Sequence, residues 1–222
     1  MIELHEGQWC AVRVSGDDRL AFLQGQLTQD VATGGSQWTM VLQPDGAVLV
    51  AAALRPDLEW IDLVVPNESV EALRARLQRF LLRVKVVLDV VDDVPAPLTT
   101  SELVTSGWPS SAEWDLGLPP HSFGREIVDA TISFQKGCFT GQELVGRADA
   151  RGASMPWRYL RGCGGDLEQI DVALRAVGPE GPQGVTSWAA IDGRLFWRGF
   201  AHRTLEAERV VYELGGELQF LA

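Results

Sequence analysis

The residues best equipped for chemistry lie in one run, Lys136-Gly137-Cys138-Phe139-Thr140-Gly141-Gln142-Glu143, continuing through Leu144, Val145 and Gly146 to Arg147. The run combines a cation, a thiol, flexible glycines, an amide, a carboxylate and an arginine. Its apolar lead-in, Ile132 to Phe134, reads as a buried strand or strand end. Lys136-Gly137 then turns the chain, and Thr140 to Ala150 is predicted as a helix with Thr140 near its start. Cys138 would stand at or just before the first helical turn, where unpaired N–H groups and Lys136 both favour thiolate over thiol. From spacing alone, Cys138 is either a small buried hydrophobe or a reactive thiol, and the flanking glycines and Lys136 favour the second. No histidine is near in sequence, so a base would have to come from His121 or His202 by folding. A reactive or ligand-sensing thiol is therefore expected rather than a nucleophile–base dyad. Glu143 suits the first turn of a helix, where its charge meets the positive end of the dipole. Arg147 and Lys136 can hold an anionic group or pair with acids such as Asp149.

The elements that must position this run follow from periodicity. Residues 9–14 read as a strand, and Ser15 or Asp17 can cap a helix that puts Leu20, Leu23 and Leu27 on one face. Gln24 and Gln26 lie off that stripe. Gly25 costs a helix roughly 1 kcal/mol against alanine, which close approach of another backbone or a ligand would explain. Trp38 to Gln43 and Gly46 to Leu54 read as strands joined at Pro44-Asp45-Gly46, and Trp60 to Val65 as a third. Asn67 is expected to cap a helix through Leu82, with Val70, Leu73, Leu77 and Phe80 on one side and Arg74, Arg76, Arg79 and Arg83 on solvated faces. Val84 to Val91 closes the series as a strand, so an α+β layer of helices on largely antiparallel strands is expected.

Residues 92–122, rich in Pro, Ser and Gly, read as a crossing segment that carries Trp108 and Trp114. A short helix is expected from Arg125 to Ala130. The body is thus placed at residues 1–151, in two subdomains. Residues 152–222 read as a short all-β module of five or six strands, barrel-like. Turns are expected there at Gly162-Cys163-Gly164-Gly165, Asp192-Gly193 and Gly215-Gly216, the last two as hairpins. One such hairpin would join Val210–Leu214 to Glu217–Leu221.

The 222 residues, 46% hydrophobic, suffice for a substantial core. No apolar run is long enough for a membrane helix, and the acidic N-terminus is unlike a signal or transit peptide, so a cytoplasmic protein is expected. A formal charge of −11 argues against the basic footprint of a nucleic-acid binder. The cysteines Cys10, Cys138 and Cys163 are odd in number and widely spaced, and no Cys-x-x-Cys occurs. Neither a disulfide framework nor a metal or cluster site is therefore expected.

Lys-Gly-Cys-Phe-x-Gly-Gln-Glu with Arg147 resembles the signature of the YgfZ family of folate-binding, aminomethyltransferase-like proteins. Val14-Ser15-Gly16-Asp17-Asp18-Arg19-Leu20-Ala21-Phe22-Leu23-Gln24-Gly25-Gln26-Leu27-Thr28-Gln29-Asp30 is similar to that family's N-terminal stretch. The resemblance covers the first two-thirds of the chain more fully than the last third. It implies an aminomethyltransferase-like α+β body with tetrahydrofolate, or a one-carbon derivative, lying between body and β-module. It implies a catalytic role for Cys138 and Lys136, and cofactor binding by Gln26, Gln142, Glu143 and Arg147. Glu143 and Gln142 would each meet the amide-like edge of a pterin ring, and Trp38, Trp108 or Trp114 would stack on it. The implied partners are folate and iron–sulfur client or assembly proteins, with effects on tRNA-modifying enzymes that carry such clusters. Where the aminomethyltransferases carry Asp-x-Ser before the first strand, this chain reads Glu6-Gly7-Gln8-Trp9-Cys10, so aminomethyl transfer is not expected. Phe139 replaces the family's commoner tyrosine, and the β-module is short. Two other readings stay open: a folate-dependent one-carbon transferase or demethylase, and a non-catalytic binding module that lost its ligand.

Overall fold

The computed structural model describes residues 1–5, 7–33, 37–152 and 155–219. The chain opens with β1 (Ile2–Glu3), which belongs to the second of two sheets. The first sheet contains β2 (Trp9–Ser15), β3 (Trp38–Leu42), β4 (Val48–Pro56), β5 (Trp60–Pro66) and β6 (Val87–Val91) in the order β3-β4-β5-β2-β6. All its neighbours are antiparallel. Side chains alternate across the pleat, so Cys10, Val12 and Val14 face one core and Ala11 another, and both faces are covered. Helices α1 (Arg19–Gln26) and α2 (Val70–Gln78) cover the first face through Phe22, Leu23, Leu73 and Leu77.

The helix expected to run to Leu82 stops at Gln78, after a 3-10 turn at Asn67–Ser69. Leu77 is its last sheet-facing residue, and the chain must then turn back to enter β6, leaving Phe80 43% and Leu82 83% exposed. The following strand accordingly starts at Val87, not Val84.

The opposite face is covered by the crossing segment, which contains α3 (Thr100–Ser106) and α4 (Ser111–Trp114), and by α5 (Arg125–Thr131) and α6 (Gln142–Ala150). Both short helices of the crossing segment start in capping boxes, Thr99 with Glu102 and Ser110 with Glu113. An unbroken series of rings runs between the sheets. Trp38 meets Trp108 at 4.5 Å between centroids, Trp114 meets Phe123 at 4.4 Å, and Phe123 meets Phe200 at 5.6 Å. Ile132–Phe134 is not a strand. Ile132 is the extended residue that ends α5, and the Ser133 N–H donates to Thr28 O instead of to a sheet partner.

The second sheet has the order β1-β8-β9-β7-β10, from β7 (Trp157–Gly164), β8 (Gly184–Ile191), β9 (Arg194–His202) and β10 (Gly216–Leu218). Its two ends are different strands, so it is an open sheet and not the expected barrel. Nor is the segment all-β. Helix α7 (Leu167–Arg175) is capped by Asp166, whose carboxylate accepts from the Glu168 and Gln169 N–H groups. Helix α8 (Ala207–Glu213) occupies the stretch read as the first half of a Gly-Gly hairpin. Ala207 and Val211, four residues apart, bury one helical face with Ile170, Leu174 and Trp197, and this period-3.6 pattern outweighs the β-branched pair Val210-Val211. Gly215 ends that helix at φ 76, its N–H donating to Tyr212 O. The strand expected to reach Leu221 extends to Leu218, and residues 220–222 lie outside the described residues.

Gly162, Cys163 and Gly164, read as part of a turn, are strand residues of β7, paired with Trp197, Phe196 and Gly216, and the chain turns only at Gly165. A Cβ at Gly162 would run into the Trp197 ring, which explains a glycine inside that strand. The hairpin at Asp192-Gly193 forms as expected, with both residues at positive φ.

Candidate functional site

The two stretches richest in functional groups, more than a hundred residues apart in sequence, meet side by side. Their contact is mostly backbone, beginning with Thr28, whose Oγ1 donates to Thr131 O at 2.6 Å. The same hydroxyl accepts from the Met40 N–H, which ties β3 to the junction. Gln29 Nε2 donates to Ala130 O, Ser133 N to Thr28 O and Thr140 N to Gly25 O. The Gly25 carbonyl makes this contact, but a Cβ at Gly25 would meet nothing within 4 Å, so the close approach expected to explain a glycine in that helix is not found. Gly141 completes the packing at φ 81, since a Cβ there would lie 2.8 Å from Gln43 O on the β3–β4 turn.

Lys136 closes the junction. Its ammonium is buried and donates to Leu27 O at 2.6 Å and to Gln29 O at 3.0 Å, with the Phe139 ring 5.3 Å away. Burial pushes its pKa down to about 8, with Asp30 acting weakly in the other direction. The expectation that this cation serves the thiol meets a different geometry, because two backbone carbonyls hold it. Asp30 is itself held below the usual carboxylate range by hydrogen bonds from Gln24 and from the Ala32 and Thr33 N–H groups. Gln24 is thus a loop anchor and not a free surface residue.

Cys138 lies on the outer side of this junction and is exposed, before α6 begins at Gln142 with Gly141 as its N-cap. The helix start expected at Thr140 is therefore two positions late. Phe139 is buried beneath Lys136, in apolar surroundings that a phenyl ring suits. Glu143 and Arg147 sit one turn apart on the exposed face of α6 and pair with each other at 2.5 Å. Gln26 faces inward, its Oε1 accepting from Arg76 Nη1 at 3.2 Å. Arg76, expected on a solvated face, is buried. The other two cysteines are placed differently from Cys138. The Cys10 thiol is buried between Asn67 and Asp92, and burial raises its pKa, while Cys163 is buried within β7.

Two cavities lie outside the junction. One of about 590 Å³ lies between the α5 region and β7, lined by Phe123, Arg125, Asp129, Tyr159, Arg161 and Gln219. It occupies the gap between the two sheets' layers, but Cys138, Gln142, Glu143 and Arg147 do not line it. The other, of about 270 Å³, is lined by Trp9, Trp38, Trp108 and Trp114, with Gln8 and Glu68 at its rim. The tryptophans expected to stack on a ring therefore share one cavity wall, where they also stack on one another.

Sequence reasoning weighed His121 only as a base brought in by folding, and missed Glu113. His121 is largely buried 3.8 Å from Asp149, and burial lowers its pKa. Glu113 is fully buried. The Ser110-x-x-Glu113 capping box was the one available signal for it. Among the described residues no group of three or more His, Cys, Asp or Glu is placed to hold a metal ion. No helix among them is long and apolar enough to cross a membrane.

No protein-family model matches the chain. An uncharacterized protein of Haemophilus influenzae is 23% identical over 268 aligned residues, spanning 95% of this chain and 92% of that protein. The tRNA-modifying protein YgfZ of Vibrio atlanticus is 25% identical, over 78% of this chain and 75% of that protein. Among solved structures, the glycine cleavage system aminomethyltransferase T of Bartonella henselae superposes with a TM-score of 0.58 at 13% identity, covering 87% of this chain and 76% of that one. The fold is therefore aminomethyltransferase-like, and the sequence is similar to YgfZ.

Proposed function

We propose that the chain is a tetrahydrofolate-binding accessory protein that supports assembly or repair of iron–sulfur clusters, with effects on tRNA-modifying enzymes that carry them. The observation that carries this reading is the junction itself. The two stretches on which the resemblance to YgfZ rests are one physical unit, fastened by Lys136 and Thr28, and that unit holds Cys138 exposed. The aminomethyltransferase-like fold and the similarity to a tRNA-modifying protein support it. In this reading Cys138 is the functional thiol, and Gln142, Glu143 and Arg147 contact the folate as a partly exposed helix start. Lys136 and Gln26 act as positioning residues, since both are committed to protein partners. The test is rescue of a bacterial strain lacking its native YgfZ. Wild type should restore the activity of iron–sulfur tRNA-modifying enzymes and Cys138→Ala should not, at equal protein level; full rescue by the variant would end the thiol's role.

A second reading, a binding module that lost its ligand, is favoured by the internal pairing of Glu143 with Arg147 and of Gln26 with Arg76. It predicts an intact fold that takes up no folate.

A further inference from the structure

Arg76 differs from the other buried arginines. It projects from α2, is 4% exposed, and among the described residues has only Gln26 Oε1 as a hydrogen-bond acceptor. Its Nη2 is buried with no hydrogen-bond partner, and its guanidinium lies 4.3 Å from the centroid of the Phe80 ring. Arg161 and Arg198, by contrast, each donate from two nitrogens to oxygens of the surrounding chain, although Arg198 Nε is also buried without a partner. Among the described residues no carboxylate pairs with Arg76, Arg79 or Arg83, while Arg74 takes Glu71. Burial, and then the like charge of Arg79, hold the Arg76 guanidinium below its ordinary pKa.

A buried cation without a counter-charge is costly, and a buried N–H without an acceptor calls for a partner. A planar fork with a free N–H and a second cation nearby complement an oxyanion, with Gln26 Oε1 holding the fork from one side. We propose that Arg76, with Gln26 and Arg79, forms a binding site beneath the Phe80 ring for the carboxylate or phosphate group of a small molecule. The site shares Gln26 with the folate reading but needs neither Cys138 nor α6. The half-exposed Phe80 ring follows the end of α2, so the cover can turn aside without disturbing the sheet.

The test titrates the full chain with inorganic phosphate and, separately, glutarate, at constant ionic strength set by chloride. The Arg76 Nε–H signal is followed by ¹⁵N NMR, and Tm in parallel. One probe should shift that signal saturably and raise Tm, and which probe does so identifies the oxyanion. Arg79→Ala should weaken apparent affinity about tenfold, the scale of one charge-assisted contact. Arg76→Met should fold and lose the Tm response, since an apolar side chain replaces an unpaired charge. Absence of a saturable change with either probe in wild type, or an unchanged Tm response in Arg76→Met, would overturn the site. If Arg76→Met does not fold, Arg76→Lys serves instead: it keeps charge without the fork, so undiminished affinity would likewise overturn the site.

Discussion

Lys136 and Glu113 are both buried charges at junctions between distant parts of the chain, yet their partners differ in kind. Lys136 joins the α1 stretch to the loop before α6 by donating to two backbone carbonyls, with no carboxylate in the contact. Glu113 joins the crossing segment to the second sheet as an acceptor. Its carboxylate receives Ser110 N and Oγ at 2.7 Å each, Thr186 Oγ1 at 2.5 Å and Ser187 Oγ at 2.7 Å. Arg198 donates in turn to Ser187 Oγ and to Leu103 O, while Arg161 reaches Ser106 O and Tyr159 OH reaches Gly107 O. The carbonyls left open at the end of α3 are thereby satisfied by the second sheet. The anion's donors are saturated, which makes its junction a structural clamp. The cation keeps a desolvated charge whose pKa is pushed down to about 8, two residues before an exposed cysteine. The difference separates a region built for rigidity from one built to present groups.

The largest expected effect tests the clamp. Glu113→Ala leaves four donors without their acceptor in a dry interface and should cost about 3–5 kcal/mol of unfolding free energy in urea titration. A loss under about 1 kcal/mol would mean the crossing segment is held by its rings instead. At the other junction, Gly141→Ala forces a side chain into positive φ and against Gln43 O, and should cost about 1–3 kcal/mol by the same titration.

Lys136 sharpens the comparison through pH. Its pKa is about 8 in the folded chain against an ordinary 10.5, so between these values the unfolded state binds more protons. Stability should therefore rise with pH through that window in wild type, relative to Lys136→Met. A flat difference between the two proteins would mean the ammonium is better solvated than its burial indicates. The smallest effect falls on the exposed α6 pair: Arg147→Ala should change stability by no more than about 0.5 kcal/mol, so any loss of ligand binding in that variant reports on function and not on folding.

The first sheet was legible because its strands are short apolar runs rich in β-branched residues, punctuated by Pro44-Asp45-Gly46. The juxtaposition of the two motif stretches was legible only through resemblance, since hydrogen bonds such as Lys136 to Leu27 O use backbone atoms that leave no trace in residue type. Helix α8 was misread because Val210-Val211 and Gly215-Gly216 mimic a hairpin, and only the tertiary partners Ile170 and Trp197 decide the period. Arg76 looked like one arginine among several on a solvated helix. Which of them is covered depends on where Phe80 lies after the chain leaves α2.

The central claim is that the junction presenting Cys138 belongs to a folate-binding protein, and calorimetry with tetrahydrofolate under anaerobic, reducing conditions tests it most directly. Wild type should bind in the micromolar range, and Glu143→Ala should bind more weakly by about 1 kcal/mol or more, as a lost hydrogen bond to the pterin requires. No heat of binding from a wild-type chain whose fold is intact would contradict the claim and leave the ligand-free module as the account of this fold.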